Sequence, residues 1–346
     1  MAPRSLLIDG LKVVASQLIV LHHIVLYAPM ADVLAWPPVR AFLIDEARFV
    51  VQIFLVIGGF LAAQGLSRRA DSVPRSLLLR YWRLVPMLAV ALLAVLAASA
   101  LLPPLRWPDW VTPWPTLGAF LAHLLLLQDV LGIPSLSAGA WYVSIDFQLF
   151  ALLTVGAAAL HRDAAQPVWR SPLPWVVAAL TLASLAWFNR DAAFDAWAPY
   201  FFTAYGLGAL AAWAGRSRAL AALFGIVCAI HLAGAWWESR PRVATACLTA
   251  IALATLASRW HARGWPARAL AYWSDASYGV FLIHYAVIVA ATALWLRLAP
   301  GSPAAGWGLL ALCWMASLAA GAALQRYVGA PLSRLPWTSL RRVSVR

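Results

Sequence analysis

The chain has 346 residues, of which 63% are hydrophobic and only 11% are charged, whereas a soluble domain carries about 25% charged residues. This composition excludes a soluble fold, because a soluble core cannot bury so much apolar side-chain surface. The net charge of +13 does not indicate a nucleic-acid partner, because the arginines cluster in short segments between apolar runs. The sequence therefore predicts an all-α, polytopic transmembrane helix bundle.

Ten apolar stretches are each long enough to cross the ~30 Å hydrocarbon core of a bilayer as a helix. They lie near residues 8–28, 44–65, 82–102, 140–160, 174–189, 197–214, 219–237, 243–259, 276–297 and 305–325. The first stretch contains Lys12, His22 and His23, which are not typical of the apolar part of a signal peptide. We therefore expect it to be retained as the first span.

The distribution of arginines predicts which loops face the cytoplasm. The loop after the second span is basic, with Arg68, Arg69, Arg75, Arg80 and Arg83. Later arginine clusters fall on alternate loops only if the apolar stretch 114–131 does not cross. We therefore expect the proline-rich segment 103–139 to be an outer-side insert that carries a re-entrant or interfacial helix near 114–131. About ten spans then form a single transmembrane domain over 1–330, a short basic tail follows at 331–346, and both termini are cytoplasmic.

Two groups of residues carry no catalytic prediction of their own. Three cysteines lie in apolar runs and offer neither a disulfide framework nor a zinc spacing, so no metal site is expected. Several tryptophans lie near span ends, as in an aromatic belt: Trp36, Trp107, Trp110, Trp141 and Trp197.

Ionisable side chains within a bilayer cost at least ~2.5 kcal/mol each, so those in the predicted spans are candidates for function. Lys12 and His23 are separated by three helical turns plus about 20°, so both project from one face with about 16 Å between them. Neutral imidazole suits proton abstraction from a hydroxyl, which makes His23 a candidate general base. The alternative is a packed polar residue bonded to a neighbouring helix. His22 points about 100° away and is expected to be the structural residue of the two.

Three further positions suggest chemistry. Asp146 is expected near the depth of His23, where its carboxylate would fix the imidazole tautomer; alternatively, it neutralises an arginine. Arg80 and Arg83 are spaced i, i+3 at the predicted start of the third crossing, beside a helix N-terminus, an arrangement that suits the phosphates of an acyl-coenzyme A. Positive-inside topology is the alternative for this pair. His284, near mid-depth of the ninth crossing, is either functional or a packing residue.

Five segments together resemble the acyltransferase-3 family of membrane acyltransferases, which includes O-antigen acetylases and exopolysaccharide acyltransferases. The segment IDGLKVVASQLIVLHH resembles the first-span motif of that family, a basic residue followed after ten residues by His. The other four are FLVIGGFLAA from Phe54, RYWR from Arg80, WYVSIDFQLF from Trp141 and SYGVFLIHYAV from Ser277. Two departures stand out: Asp146 replaces the usual Glu, and Gly58 replaces the Ser of Ser-Gly-Phe. We also expect the chain to lack the soluble domain that some relatives append.

The resemblance implies a ten-helix bundle in a bacterial cytoplasmic (inner) membrane, with acyl-CoA as a co-substrate and no permanently bound cofactor. It implies an acetyl or other acyl donor, a carbohydrate or lipid-linked glycan acceptor, and partners in polysaccharide biosynthesis. The candidate residues are His23 and Asp146 for catalysis, Arg80, Arg83 and Lys12 for the donor, and Trp141 and His284 for the acceptor. The sequence leaves open whether the acceptor attacks directly or the acyl group first rests on His23.

The sequence leaves open two alternatives to an enzyme, a transporter and a scaffold. In a proton-coupled transporter or flippase, His23, Asp146 and His284 would relay protons. The absence of a clear internal repeat counts against a transporter built from inverted repeats. In a scaffold of an export complex, His23 and the arginine pair would be replaceable.

Overall fold

A computed structural model describes residues 4–33, 36–66, 72–161, 163, 166–257, 264–298 and 303–334. Part of the predicted topology falls outside these residues. Arg68 and Arg69 of the basic loop lie outside them, as does the predicted tail beyond Arg334.

Helices dominate the described residues, which contain no strand. The helices of eight or more residues are α1 Leu6–Tyr27, α2 Pro37–Leu66, α3 Val73–Ser99, α4 Leu117–Leu124, α5 Ala140–Leu160, α6 Leu173–Ala186, α7 Ala198–Ala214, α8 Arg218–Trp237, α9 Pro241–Leu256, α10 Trp265–Leu298 and α11 Pro303–Ser333. Helix α2 contains a π-helical turn at Phe42–Glu46, and α11 contains one at Gln325–Gly329. The all-α prediction is confirmed for the described residues, and each of the ten predicted apolar stretches overlaps one of these helices.

Seven of these helices are long and apolar enough to cross a membrane, namely α1, α2, α3, α5, α8, α10 and α11. The remaining apolar helices α6, α7 and α9 have 14, 17 and 16 residues. At ~1.5 Å per residue they reach only about 21–26 Å. The count of ten spans therefore stays a prediction, as does the cytoplasmic placement of both termini.

Helix α4 lies within the stretch 114–131 that the arginine pattern predicts not to cross. It has eight residues, about 12 Å of helix, which is too short to span a bilayer. Its first turn is capped by Thr116, whose hydroxyl accepts a hydrogen bond from the amide of Ala119 at 3.1 Å. A re-entrant or interfacial position for α4 stays a prediction.

The described residues fall into two compact units. The first lies within Met1–Ala15, Phe49–Leu77 and Ser144–Ala271, and the second within Ser16–Arg48, Leu78–Val143 and Tyr272–Arg346. The prediction that residues 1–330 form a single domain is not tested by this division.

In the first unit, glycines let helices α2 and α7 pack backbone against backbone. A Cβ atom at Gly59 would overlap the carbonyl oxygen of Tyr205, and one at Gly208 would overlap the carbonyl oxygen of Val56. Small residues at such crossings allow close van der Waals contact, which is a main source of helix association in membranes. The crossing therefore depends on the absence of side chains at these two positions.

A polar network in the first unit joins the segment after α6 to the segment after α8. Arg240 donates to the carbonyl oxygens of Asn189 at 3.0 Å and Leu185 at 3.3 Å. Arg190 and Arg240 both bond the carboxylate of Glu238. The hydrogen bond from Arg190 holds the pKa of Glu238 below its ordinary value, with the charge of Arg240 acting in the same direction.

In the second unit, two arginines cap helix C-termini reciprocally. Arg297, in the last turn of α10, donates to the carbonyl of Leu101 at 2.8 Å, just beyond the end of α3. Arg106, in the segment that follows α3, donates in turn to the carbonyl of Leu296 at 3.3 Å. Arginine in these positions satisfies terminal carbonyls and interacts favourably with the helix dipole. These bonds fix the start of the insert that runs from 103 to 139.

His123 holds the other end of this insert. Its Nδ1 donates to the carbonyl of Ala119 at 2.8 Å, and its Nε2 accepts from the amide of Leu136 at 3.1 Å. One nitrogen faces a carbonyl and the other faces an N–H, so the ring is the neutral Nδ1–H tautomer. His123 therefore has a structural role.

Candidate functional site

The structure brings together two of the predicted site residues, His23 on α1 and His284 on α10. Both are buried, and Nδ1 of His23 lies 2.8 Å from Nε2 of His284. Their rings are nearly parallel, with an interplanar angle of 10° and centroids 4.9 Å apart. These residues are 261 positions apart in the chain, and the sequence contains no indication that they pair.

The hydrogen-bond partners of His284 determine where the protons lie on this pair. Nδ1 of His284 is 3.3 Å from the carbonyl oxygen of Val280, which can only accept, so Nδ1 carries the proton. Neutral His284 then has its lone pair on Nε2, and Nδ1 of His23 must donate to it. Consequently the lone pair of His23 lies on Nε2, where it can act as a general base or a nucleophile.

An aromatic cluster continues from His23 through residues that sequence reasoning did not assign to the site. The imidazole stacks on the Tyr27 ring with centroids 5.5 Å apart, and the ring centroids of Tyr27 and Trp110 are 5.2 Å apart. The Tyr285 ring lies 5.8 Å from that of Trp110, and its hydroxyl donates to the Trp110 carbonyl at 2.7 Å. Tyr27 lies one turn after His23 and Tyr285 directly follows His284, so adjacency to candidate residues was the available signal. The sequence pattern places Trp110 only in the aromatic belt.

Adjacent His22 has a different environment. Its Nδ1 lies 2.7 Å from the carbonyl of Leu43, within the π-helical turn of α2, so this nitrogen donates. A π turn interrupts the regular backbone ladder and leaves carbonyl groups to other partners. His22 therefore bonds the backbone, as expected of a structural residue.

The predicted position of Arg80 and Arg83 at a helix N-terminus is wrong. Helix α3 begins at Val73, so Arg80 and Arg83 are its eighth and eleventh residues and lie about two to three turns from the N-terminal amides. The helix begins earlier because it continues through the polar residues before the apolar run, with Pro74 in its first turn. The i, i+3 spacing still places both guanidinium groups on one helix face, with Arg80 half-buried and Arg83 exposed.

Asp146 and Gly58 are neighbours in the first unit. Asp146 is buried on α5, and a Cβ atom at Gly58 would lie 3.5 Å from its Oδ1 and 3.3 Å from the ring of Tyr205. The two departures from the family pattern therefore adjoin each other, and the shorter carboxylate faces a position without a side chain. Asp146 belongs to the first unit and His23 to the second, and their pairing stays a prediction.

Lys12 and Trp141 complete the predicted set. Lys12 lies on α1 with His23, as expected, and is half-buried in the first unit. Trp141 is the second residue of α5, and its ring contacts Tyr142 at 6.2 Å. The ring centroids of Tyr142 and Phe281 are 5.1 Å apart, and those of Phe281 and His284 are 6.2 Å apart. The roles of both residues stay predictions.

Comparison with known families decides the class of the protein. The family model described as an acyltransferase domain, that of acyltransferase-3, matches residues 6–323. This chain belongs to the acyltransferase-3 family. A comparison with curated proteins and one with solved structures gave no match. Together with its apolar helices, family membership indicates an integral membrane acyltransferase.

Within the described residues, no group of three His, Cys, Asp or Glu side chains is arranged to hold a metal ion. The three cysteines are all buried.

Proposed function

We propose that this acyltransferase moves an acyl group, most often acetyl, from a cytosolic acyl-CoA to a hydroxyl of a carbohydrate or lipid-linked glycan. The observation that carries the proposal is the buried pair of His23 and His284, whose hydrogen bonds leave a lone pair on Nε2 of His23. Family membership supports acyl transfer as the reaction. A bacterial cytoplasmic membrane and partners in polysaccharide biosynthesis belong to the same proposal.

The proposed reaction is a direct transfer with His23 as general base. Nε2 of His23 takes the proton from the acceptor hydroxyl while the hydroxyl oxygen attacks the thioester carbonyl carbon. The carbon–sulfur bond then breaks, and the coenzyme A thiolate leaves with the proton that Nε2 returns. The bond from Nδ1 of His23 to His284 strengthens when His23 becomes cationic, because a charged donor makes the stronger hydrogen bond.

Helix α10 supports a path from the donor arginines to this base. The hydroxyl of Tyr278 on α10 donates to the carbonyl of Leu84 at 3.2 Å, and Leu84 directly follows Arg83 on α3. His284 is six residues further along α10, which is a rise of ~9 Å. The pantetheine arm of coenzyme A is long enough to cover this rise. The donor phosphates are therefore proposed to bind Arg80 and Arg83.

The proposal is tested by binding of coenzyme A and acetyl-CoA to the purified protein in detergent. The double variant Arg80→Ala/Arg83→Ala is expected to bind about 100-fold more weakly, or ~2.7 kcal/mol, as two charge-assisted contacts would give. Arg75→Ala on the same helix is the matched control, because it removes an arginine that topology alone explains.

Two outcomes would contradict the donor site. An equal loss in Arg75→Ala would show that general charge, and not the pair, attracts the ligand. If the unaltered protein binds neither ligand, the acyl-CoA donor is rejected and the transport alternative is favoured.

A further inference from the structure

We propose that Trp110 and Tyr27 form a stacking platform for the acceptor, and that the acceptor is therefore a hydroxylated ring of the pyranose kind. This inference rests on the proposed function and deepens it, because it names the substrate class and two residues that select it. The family comparison assigns no role to either residue.

The location of the two rings is the first argument. A hydroxyl that loses its proton to His23 must lie within ~2.6–3.2 Å of Nε2. An acceptor in that position lies beside the imidazole and therefore close to Tyr27, whose ring stacks on it. The Tyr27 ring stacks on His23 with an interplanar angle of 22°, and the Trp110 ring follows at 33° to that of Tyr27.

The second argument is that hydrogen bonds fix the backbone at and around Trp110, in addition to the contacts of its ring. Its carbonyl accepts the hydroxyl of Tyr285, which is itself buried. The neighbouring backbone is fixed by Trp107, whose indole N–H donates to the carbonyl of Val111 at 2.8 Å, and by Thr112, whose hydroxyl donates to the carbonyl of Ser135 at 2.6 Å. The indole is therefore preorganised, which lowers the entropy cost of binding a ligand.

The third argument concerns the kind of ligand. One Trp and two Tyr rings resemble the composition of an aromatic cage for a quaternary ammonium group. Here, however, the centroids are only 5.2 Å, 5.6 Å and 5.8 Å apart, so the rings pack against one another and leave no space for a cation among them. A platform remains, in which Tyr285 is the buried support and the half-buried Tyr27 and Trp110 offer ring surface.

A pyranose fits a platform of this kind. It has an apolar C–H face that packs on an aromatic ring, and it has hydroxyl groups at its rim that need polar partners. Among the described residues, no group bonds the phenol hydroxyl of Tyr27, so this hydroxyl can serve a rim hydroxyl of the sugar. An open-chain polyol has the same hydroxyl groups but no rigid C–H face, and it would gain little from stacking.

This difference provides the experiment. Saturation-transfer NMR on the purified protein in detergent would compare methyl pyranosides of the gluco, galacto and rhamno series with sorbitol. At least one pyranoside is expected to bind more tightly than sorbitol, with the strongest transfer to protons of one C–H face. Trp110→Leu should weaken that binding about fivefold to tenfold, or ~1–1.4 kcal/mol. Trp110→Phe should restore most of it.

The controls separate a platform from a packing residue. Trp307→Ala removes a half-exposed tryptophan from α11 and should leave the preference for the ring unchanged. If no pyranoside binds better than sorbitol, or if Trp110→Leu weakens both kinds of ligand equally, the platform is rejected. If Trp110→Leu fails to fold, Trp110→Phe and Trp110→His decide the question. A platform predicts that the Phe variant, which has the larger ring, binds the pyranoside more tightly than the His variant.

The assay contains no donor, so a failure of the platform can be distinguished from a failure of the proposed acyl-CoA donor. Pyranoside binding that depends on Trp110, without any coenzyme A binding, would retain the platform and reject the acyl-CoA donor. Coenzyme A binding without tighter binding of a pyranoside than of sorbitol would retain the acyl-CoA donor and reject the platform.

Discussion

The two units of this acyltransferase show two kinds of contact between elements. In the first unit, α2 and α7 cross at Gly59 and Gly208, where backbone packs against backbone. In the second unit, buried polar side chains bond across elements, as between His23 and His284 and between Tyr285 and Trp110. The first contact depends on van der Waals packing, whereas the second depends on hydrogen bonds.

The two kinds of contact respond differently to substitution. A helix crossing made by glycines is set by shape, and a substitution there changes packing throughout the crossing. A hydrogen bond between two imidazoles depends on which nitrogens carry protons. A substitution there changes proton transfer, with little change in side-chain volume. We therefore expect variants at the glycine crossing to lose the fold, and variants at the histidine pair to lose transfer while the fold persists.

The largest effect is expected for Gly59→Ala in the first unit. The new Cβ would meet the backbone of Tyr205 and Ala209, which cannot rotate away as a side chain would. We expect a loss of about 3 kcal/mol or more in the free energy of unfolding, together with little monodisperse protein. Thermal melting and size-exclusion chromatography measure both quantities. Gly225→Ala on α8 is the matched control, because no atom lies within 4 Å of its added Cβ; equal losses would refute the close crossing.

The second effect is on catalysis. His23→Ala is expected to lower acyl transfer by about 10²–10⁴-fold, the usual contribution of a positioned general base, with the melting temperature largely unchanged. The control is His22→Ala, which removes a bond to the Leu43 carbonyl and a tilted ring contact with His23, and which should cost about 1 kcal/mol of stability. A turnover rate in His23→Ala equal to that of the unaltered protein would remove His23 from the mechanism.

A smaller effect is expected for His284, which we interpret as a positioning residue. His284→Leu removes the acceptor of the His23 Nδ1–H bond, and should lower the rate constant for transfer about 30- to 150-fold, or ~2–3 kcal/mol. His284→Gln keeps an acceptor oxygen and should recover most of the rate. If the Leu and Gln variants were equally slow, the tautomer argument would be incorrect, because a purely steric role does not distinguish an acceptor from a methyl group.

The smallest effect is expected at the polar network of the first unit. Arg190 lowers the pKa of Glu238 in the folded state, so this carboxylate stabilises the fold above the unfolded pKa near 4.5. That contribution is lost as the pH falls from this value through the folded pKa. Glu238→Gln should therefore melt slightly earlier than the unaltered protein at pH 7, and this difference should shrink as the pH is lowered below 4.5. A difference in melting temperature that does not shrink over this range would indicate that packing, and not charge, is the cause.

The helices could be predicted from the sequence almost completely. Each of the ten apolar stretches overlaps a helix, because the cost of burying unsatisfied backbone in a bilayer makes a long apolar run helical wherever it packs. Helix boundaries were less well predicted. Helix α3 extends nine residues before its predicted start, because a helix continues into polar residues that a hydropathy window does not count.

The chemical candidates could be predicted only one by one. His23 was identified because an ionisable group within a span is costly and therefore rarely accidental. Its bond to His284 could not be predicted, because contacts between residues 261 positions apart leave no signal in a single sequence. The same reason explains why Trp110 was assigned to a belt and Tyr27 to no role.

The sequence alone determined that this protein is helical and membrane-embedded, since these properties follow from local composition and from the length of each apolar run. It also determined the family, because the motifs are short and lie within single helices. The tertiary structure alone decided which nitrogen of His23 carries the lone pair, because that depends on the carbonyl of Val280 and the imidazole of His284, which reach His23 only through folding. It likewise placed Trp110 beside Tyr27, since the position of the insert depends on bonds to helix ends far away in the chain.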